Sequence, residues 1–142
     1  MVRVVDGDTI IVDRGRGSER LRYIGIDTPE AVTPDQTPEP LGREASDANA
    51  ALLVGGIVFL ERDVSETDRF GRLLRYVWVG DPAEPAAWTL VNLALVSAGW
   101  AIVTTFPPDV RHADRFLIAQ REAQAAGRGI WARAAPTPPT AP

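Results

Sequence analysis

The 142-residue sequence contains no cysteine, which excludes disulfide bonds and thiolate metal ligands. It has a single histidine, His112, so any bound metal must rely mainly on oxygen ligands, and these favour a hard cation. Lysine is also missing, so all 15 basic residues are arginines. Arginine stays charged and can grip a phosphate with two parallel hydrogen bonds. The chain therefore has the side chains for phosphate contact.

A broad basic surface is absent as well, because the formal net charge is −4 and the isoelectric point is about 5.0. Tight non-specific binding of nucleic acid usually needs the opposite balance, so any polyanion must be met locally. No apolar run reaches membrane-spanning length. We expect one domain over residues 1–133, followed by a disordered proline-rich tail over residues 134–142.

The hydrophobic pattern predicts five strands, over residues 2–5, 9–12, 20–26, 57–61 and 73–79. Helical spacing predicts one helix over 42–54, a second from about Trp88 to Gly99 and a third ending at Gly127. Residues 31–41 carry three prolines and are expected to form a mobile surface loop. Five antiparallel strands with a helix after the third indicate a mostly β, α+β fold, a Greek-key barrel of the OB type with three α-helices.

Polar residues cluster in three turns of this pattern, which read Asp6-Gly-Asp-Thr9, Asp27-Thr-Pro-Glu30 and Asp68-Arg-Phe-Gly-Arg72. Phosphodiester hydrolysis needs an attacking water, neutralisation of the charge that grows on the phosphate, and a fixed geometry. Carboxylates and arginines from three turns can meet these needs. The sequence therefore predicts a metal-assisted phosphodiesterase.

Each residue type suggests a role in that chemistry. Asp8 and Asp27 can supply carboxylate oxygens to a calcium-like ion, with the Thr28 carbonyl as a third ligand. Glu30 follows Pro29, which keeps the chain extended, and we assign it as the general base that activates water. Arg22 and Arg72 are predicted to clamp the phosphate from two sides.

Simpler interpretations exist for the same residues. Asp-Gly-Asp-Thr alone is more often a turn than a metal site, and Asp68 suits an exposed ion pair in a hairpin connection. Arg22 lies inside an apolar strand and needs a partner, which Asp27 or Glu30 could supply for purely structural reasons. Asp6 is equally well explained as a secondary metal contact or as a residue that stabilises its turn.

Taken together, these motifs resemble the staphylococcal nuclease (thermonuclease) family. The resemblance runs from about Val2 to Trp131 and includes the three turns, Arg22 five residues before Asp27, and Gly127-Arg-Gly-Ile-Trp131. It implies a five-stranded OB barrel with three helices and one Ca²⁺ held by Asp8, Asp27 and the Thr28 carbonyl. It also implies Glu30 as base, and Arg22 and Arg72 as phosphate ligands.

The resemblance further implies cleavage of the 5′ P–O bond of DNA and RNA, leaving 3′-phosphates. Three positions depart from the family pattern. Phe70 stands where the family has a tyrosine that touches the terminal phosphate, and Thr105 and Pro107 stand where tyrosines line the base pocket. Weaker mononucleotide binding is expected, with Arg69 keeping a positive charge beside the phosphate. Phe106, Trp100 and His112 are the candidates to replace the missing rings.

We therefore expect a calcium-dependent nuclease of low sequence preference, acting as a monomer on DNA and RNA without a membrane partner. The rival is a non-catalytic OB module that binds single strands or a protein, but such modules usually lose catalytic side chains, and here none is missing. A third alternative, a calcium-stabilised interaction domain, has no use for Arg22, Glu30 and Arg72. The first strand begins abruptly, so we expect a secretion signal upstream and a secreted or cell-surface location.

Overall fold

The computed structural model describes residues 2–31 and 39–132. The proline-rich tail and most of the predicted mobile loop lie outside these residues. The elements, in chain order, are β1 (Val2–Asp6), β2 (Thr9–Asp13), β3 (Ser18–Tyr23), β4 (Ile26–Asp27), α1 (Gly42–Leu52), β5 (Phe59–Glu61), β6 (Leu73–Val79), β7 (Thr89–Leu90), α2 (Val91–Ser97), β8 (Ile102–Val103) and α3 (Ala113–Ala126).

The longer strands form one curled sheet in the order β1-β2-β3-β6-β5, and β7 adds a short pairing on β6. Neighbouring strands are antiparallel except β3 and β6, which are parallel. The expectation of five antiparallel strands was therefore wrong at this one pairing, because α1 and β5 intervene between the two strands and β6 returns in the direction of β3. The OB-type α+β class with three helices is confirmed.

The third strand is shorter than predicted, since β3 ends at Tyr23 and the chain turns before it re-forms as β4. Gly25 makes this turn with a φ of +81°, a left-handed conformation that side chains other than hydrogen disfavour. A Cβ on Gly25 would also lie 2.9 Å from the ring of Phe116. Because the chain turns here, Ile26 and Asp27 pair with β8 and do not continue the main sheet.

The hydrophobic core lies between this sheet and the helices. Ile10, Leu21 and Val77 come from the sheet, and Leu95 and Phe116 from α2 and α3, all almost fully buried. α2 packs on both α3 and β6, while α1 packs on β1. None of the helices in residues 2–31 and 39–132 is long and apolar enough to cross a membrane.

Candidate active site

The turn between β1 and β2 places Asp8 inside the protein, where the residue is only 5% exposed. Its Oδ2 accepts a hydrogen bond of 2.9 Å from the Thr28 backbone N–H, and its Oδ1 accepts one of 3.0 Å from the Thr9 hydroxyl. The first of these bonds joins two turns that are 20 residues apart. Two of the three polar turns therefore meet, with Asp8 at their junction.

Small residues make this close approach possible. A Cβ on Gly7 would lie 2.6 Å from the Thr28 hydroxyl oxygen and 2.9 Å from the Ala45 Cβ, so only glycine fits there. From the neighbouring helix α1, the Asn49 amide donates to the Asp6 carbonyl at 3.0 Å and accepts from the Tyr23 hydroxyl at 2.6 Å. The sequence predicted Gly7 only as a turn residue and gave no sign of a role for Asn49, although both hold the turn that carries Asp8.

Arg22 reaches from β3 into the same junction. Its Nη1 donates to the carbonyls of Tyr23 at 2.9 Å and of Ile26 at 2.7 Å, across the turn at Gly25. Its Nη2 lies 3.3 Å from the Asp8 carboxylate and 3.5 Å from that of Asp27. The break in the third strand thus provides carbonyl acceptors that orient the guanidinium, while the two carboxylates supply its opposite charge.

One guanidinium does not offset the negative charge gathered here. Burial and the neighbouring charge of Asp8 raise the pKa of Asp6 to about 7, although the backbone of Asp8 and the charge of Arg22 act in the opposite direction. Burial, followed by the charge of Asp8, also raises the pKa of Asp27. The fold therefore holds several carboxyl groups closer together than is favourable when all are ionised, and a bound cation would relieve this cost.

The residues present fit a hard cation bound to oxygen. Asp8 and Asp27 offer carboxylate oxygens of the kind that Ca²⁺ prefers, and the backbone N–H of Thr28 is hydrogen-bonded to Asp8. The Thr28 hydroxyl is buried and has no hydrogen-bond partner among the described residues, so a polar atom is also left unsatisfied at this point. Within residues 2–31 and 39–132, no three acidic or histidine side chains could hold a metal ion by themselves, so carbonyl, phosphate or water oxygens must complete its shell.

Asp6, Asp8 and Asp27 form an acidic cluster, and Arg22, which contacts Asp8 and Asp27, also lines a cavity of about 490 Å³. We call it the active-site cavity. Arg22, Arg69, Phe70 and Arg72 are among the residues that line it. Arg22 and the third polar turn therefore share one cavity, whereas Asp8, Asp27 and Thr28 are not among the described residues that line it.

Asp68 fixes the position of Arg72. Its Oδ2 accepts from the Arg72 Nε at 2.7 Å, and its Oδ1 accepts from the backbone N–H groups of Phe70 and Arg72, both at 2.9 Å. Burial opposes ionisation of Asp68, but these hydrogen bonds outweigh it and hold the pKa of Asp68 below its ordinary value. Asp68 forms the ion pair that the sequence predicted for this hairpin connection, but the pair is partly buried and not exposed, and Asp68 also orients Arg72.

The exposed aromatic rings that line the cavity are Phe70 and Phe106, which are 68% and 72% exposed, whereas Tyr23 lines it but is buried. The guanidinium carbons of Arg69 and Arg72 lie 4.8 Å and 5.5 Å from the centre of the Phe70 ring. Of the three candidates to replace the missing tyrosines, Phe106 alone lines this cavity in the part of the chain that the structure describes. His112 instead contacts the Glu61 carboxylate at 3.0 Å, and Trp100 packs against the core.

Glu30 is exposed and follows Asp27 and Thr28 on the same segment. Its backbone is held against the first residue of α1, because a Cβ on Gly42 would lie 2.1 Å from the Glu30 carbonyl oxygen. That carbonyl also accepts a hydrogen bond of 2.9 Å from the Glu39 N–H. Glu30 is not among the described residues that line the active-site cavity, so its role as base stays a prediction.

An OB-type α+β fold with an acidic cluster around the buried Asp8, and with arginines that line one cavity, defines a protein suited to binding a cation and a phosphodiester together. The family model of staphylococcal nuclease homologues matches residues 20–133. The chain is 40% identical to the thermonuclease of Staphylococcus hyicus and 41% to that of Staphylococcus intermedius, over 92% of this chain and 73% and 74% of those proteins. It is 33% identical to endonuclease YncB of Bacillus subtilis (strain 168), over 92% of this chain and 60% of that protein. The chain belongs to the staphylococcal nuclease family.

Proposed function

We propose that this protein is a calcium-dependent nuclease, which hydrolyses phosphodiester bonds in DNA and RNA with low sequence specificity and leaves 3′-phosphate products. The nuclease class rests on family membership and on relatives named thermonuclease and endonuclease. The assignment of this activity to the candidate site rests on the contacts of Arg22. It contacts Asp8 and Asp27 of the acidic cluster and also lines the active-site cavity.

We assign Asp8, Asp27 and the Thr28 carbonyl as the residues that hold the cation. The raised pKa of Asp27 and the unsatisfied Thr28 hydroxyl support this assignment. A Ca²⁺ bound there would offset the charge of the phosphate and of the surrounding carboxylates. This matters in a chain of net charge −4, because a polyanion would otherwise be repelled from an acidic site.

The protein side chains activate the water and bind the phosphate and the rest of the substrate. Glu30 takes a proton from the attacking water, because its side chain is exposed and can reach solvent. Arg22 and Arg72 donate hydrogen bonds to the phosphate oxygens from two sides, and these bonds strengthen as charge accumulates in the transition state. Arg69 and Phe70 bind the substrate beside the scissile phosphate, and Asp68 keeps Arg72 in place.

The decisive test is hydrolysis of single-stranded DNA, duplex DNA and RNA by the wild type and by Glu30→Gln, with calcium or with a chelator. The substitution keeps the shape of the side chain and removes the base, so we expect cleavage to fall about 10²- to 10⁴-fold. Glu44→Gln, an exposed glutamate in the first turn of α1, is the matched control and should keep full activity.

Intact polymer with the wild type and calcium would contradict the proposal and favour a non-catalytic module that binds nucleic acid or a protein. Undiminished cleavage by Glu30→Gln would leave the nuclease class standing and remove Glu30 as the base. The monomeric state and the secreted or cell-surface location stay predictions, which light scattering and the full reading frame would check.

A further inference from the structure

A second cavity of about 490 Å³ lies on the other side of Phe70 and Arg72. It is lined by the β2–β3 hairpin, through Arg14, Glu19 and Arg20, and by Glu66, Thr67 and residues 70–73. We call it the hairpin cavity. Phe70 and Arg72 line both cavities, so together they form the partition between them.

The two glutamates of the hairpin cavity are already neutralised by arginines. Arg14 binds Glu19 through two hydrogen bonds of 2.7 Å and 2.8 Å, so this pair carries no net charge. Glu66 forms ion pairs with Arg75, whose side chain is 6% exposed, and with Arg62. Both glutamates consequently have their pKa held low, with hydrogen bonds to arginine as the largest cause.

The remaining positive charge comes from Arg20 and Arg72. Arg20 is exposed, and no carboxylate lies within ion-pair distance of it among the described residues. Arg72 is tied to Asp68 by its Nε at 2.7 Å, and no described side chain hydrogen-bonds its two terminal nitrogens. The hairpin cavity therefore has net positive character in a chain whose overall charge is negative.

We propose that the hairpin cavity is a second phosphate subsite, which binds the neighbouring phosphodiester of the same polynucleotide strand through Arg20. A strand carries one phosphate per nucleotide, so a phosphate held by Arg22 and Arg72 has another close by along the chain. The shared partition places the two cavities side by side, and the exposed Phe70 ring offers the intervening nucleotide a surface to stack on. This inference rests on the proposed nuclease function.

The proposed subsite should contribute to the binding of a polymer but not to that of a small substrate. A nucleotide ester with one phosphodiester can fill only the active-site cavity, whereas a polymer also reaches Arg20. We therefore measure calcium-dependent hydrolysis of single-stranded DNA and of a nitrophenyl ester of thymidine phosphate by the wild type, Arg20→Gln and Arg20→Glu. Arg115→Gln, an exposed arginine of α3 that lines neither cavity, is the matched control.

For Arg20→Gln we expect kcat/KM on DNA to fall about three- to tenfold relative to kcat/KM on the ester, and the charge reversal should lower this ratio further. The slope of log kcat/KM for DNA against log salt should become shallower by about 0.7, the value for one lost phosphate contact on a single strand. Thermal unfolding of each variant checks that the fold is kept. An unchanged ratio and salt slope for both Arg20 variants would overturn the subsite, whereas a wild type that cleaves neither substrate would overturn the nuclease function itself.

Discussion

At the scale of single residues, the site depends on side chains that touch no substrate. Gly7 is the clearest case, because the space where its Cβ would lie is occupied by the Thr28 hydroxyl and the Ala45 methyl group. The turn can approach the segment of Thr28 only without a side chain at this position. The hydrogen bond from the Thr28 N–H to Asp8 depends on that approach.

We predict that Gly7→Ala destabilises the protein by about 1–3 kcal/mol, the usual cost of inserting a methyl group into a well-packed position. Calcium affinity should fall as well, because Asp8 and Thr28 are pushed apart. Urea unfolding and calcium titration measure the two effects. Gly55→Ala is the matched control, since its Cβ would meet no atom within 4 Å. A Gly7→Ala protein with wild-type stability and calcium affinity would show that the contact has no consequence.

At the scale of elements, the Asp109 side chain joins two loops, its own and the one that contains Val64 and Ser65. Its side chain is buried, and its Oδ1 accepts from the backbone N–H groups of Val64 at 3.0 Å and Ser65 at 2.8 Å. The segment of Asp109 carries Phe106, and the segment of Ser65 leads to Arg69 and Phe70. The Asp109 carboxylate therefore joins the two loops that carry Phe70 and Phe106, the exposed rings of the active-site cavity.

Burial opposes ionisation of Asp109, but the hydrogen bonds from Ser65 and Val64 outweigh it and lower its pKa. A carboxyl with a lowered folded pKa contributes stability above its unfolded pKa of about 3.9, and this is lost as the pH falls through the folded value. We predict that Asp109→Asn, which keeps the acceptor and removes the charge, costs about 1 kcal/mol at pH 7. The difference in the free energy of unfolding between wild type and variant should become smaller below about pH 4. Urea unfolding at several pH values measures this difference.

Asp47→Asn, on the exposed face of α1, controls for the change in net charge. If Asp109→Asn lowers the free energy of unfolding by the same amount at pH 3 and at pH 7, then Asp109 stabilises the fold through its shape and not through its charge.

The elements themselves were largely predictable from the sequence, because alternating and helical patterns report which faces are buried. The strand at residues 73–79 and the end of the third helix at Gly127 agree with the structure. The prediction failed at Ile24 and Gly25, where an apolar, strand-like run is broken by a left-handed glycine that makes room for Phe116. That contact is 91 residues distant in the sequence, so no local pattern could reveal it.

The candidate site was predictable to a similar extent and for a similar reason. Three polar turns and one arginine inside an apolar strand suggested Asp8, Asp27, Arg22 and Arg72. In the folded chain Arg22 contacts both aspartates and lines one cavity with Arg72. The orienting residues were not predictable, because Gly7 and Asn49 act through shape and through single hydrogen bonds to distant backbone atoms. Phe106 was one candidate among three, and only the folded chain separates it from Trp100 and His112.

At the scale of the whole molecule, the acidic cluster should cost stability until a cation binds. Burial and the charge of Asp8 raise the pKa of Asp27, so ionised Asp27 is less favourable in the folded chain than in the unfolded chain at neutral pH. A neutral side chain of the same shape removes this cost. It also removes a carboxylate oxygen that the proposed calcium site needs.

We therefore predict opposite effects of Asp27→Asn with and without calcium. In the presence of a chelator at pH 7, the variant should melt at a higher temperature than the wild type. With calcium at a hundred times its Kd, the wild type should gain about 2.7 kcal/mol, and the variant should gain much less. Calorimetric melting of both proteins under the two conditions measures the four values, with Asp47→Asn as the control for net charge. If Asp27→Asn melts below the wild type with chelator and responds equally to calcium, then Asp27 is a partner of Arg22 in the structure and not a ligand.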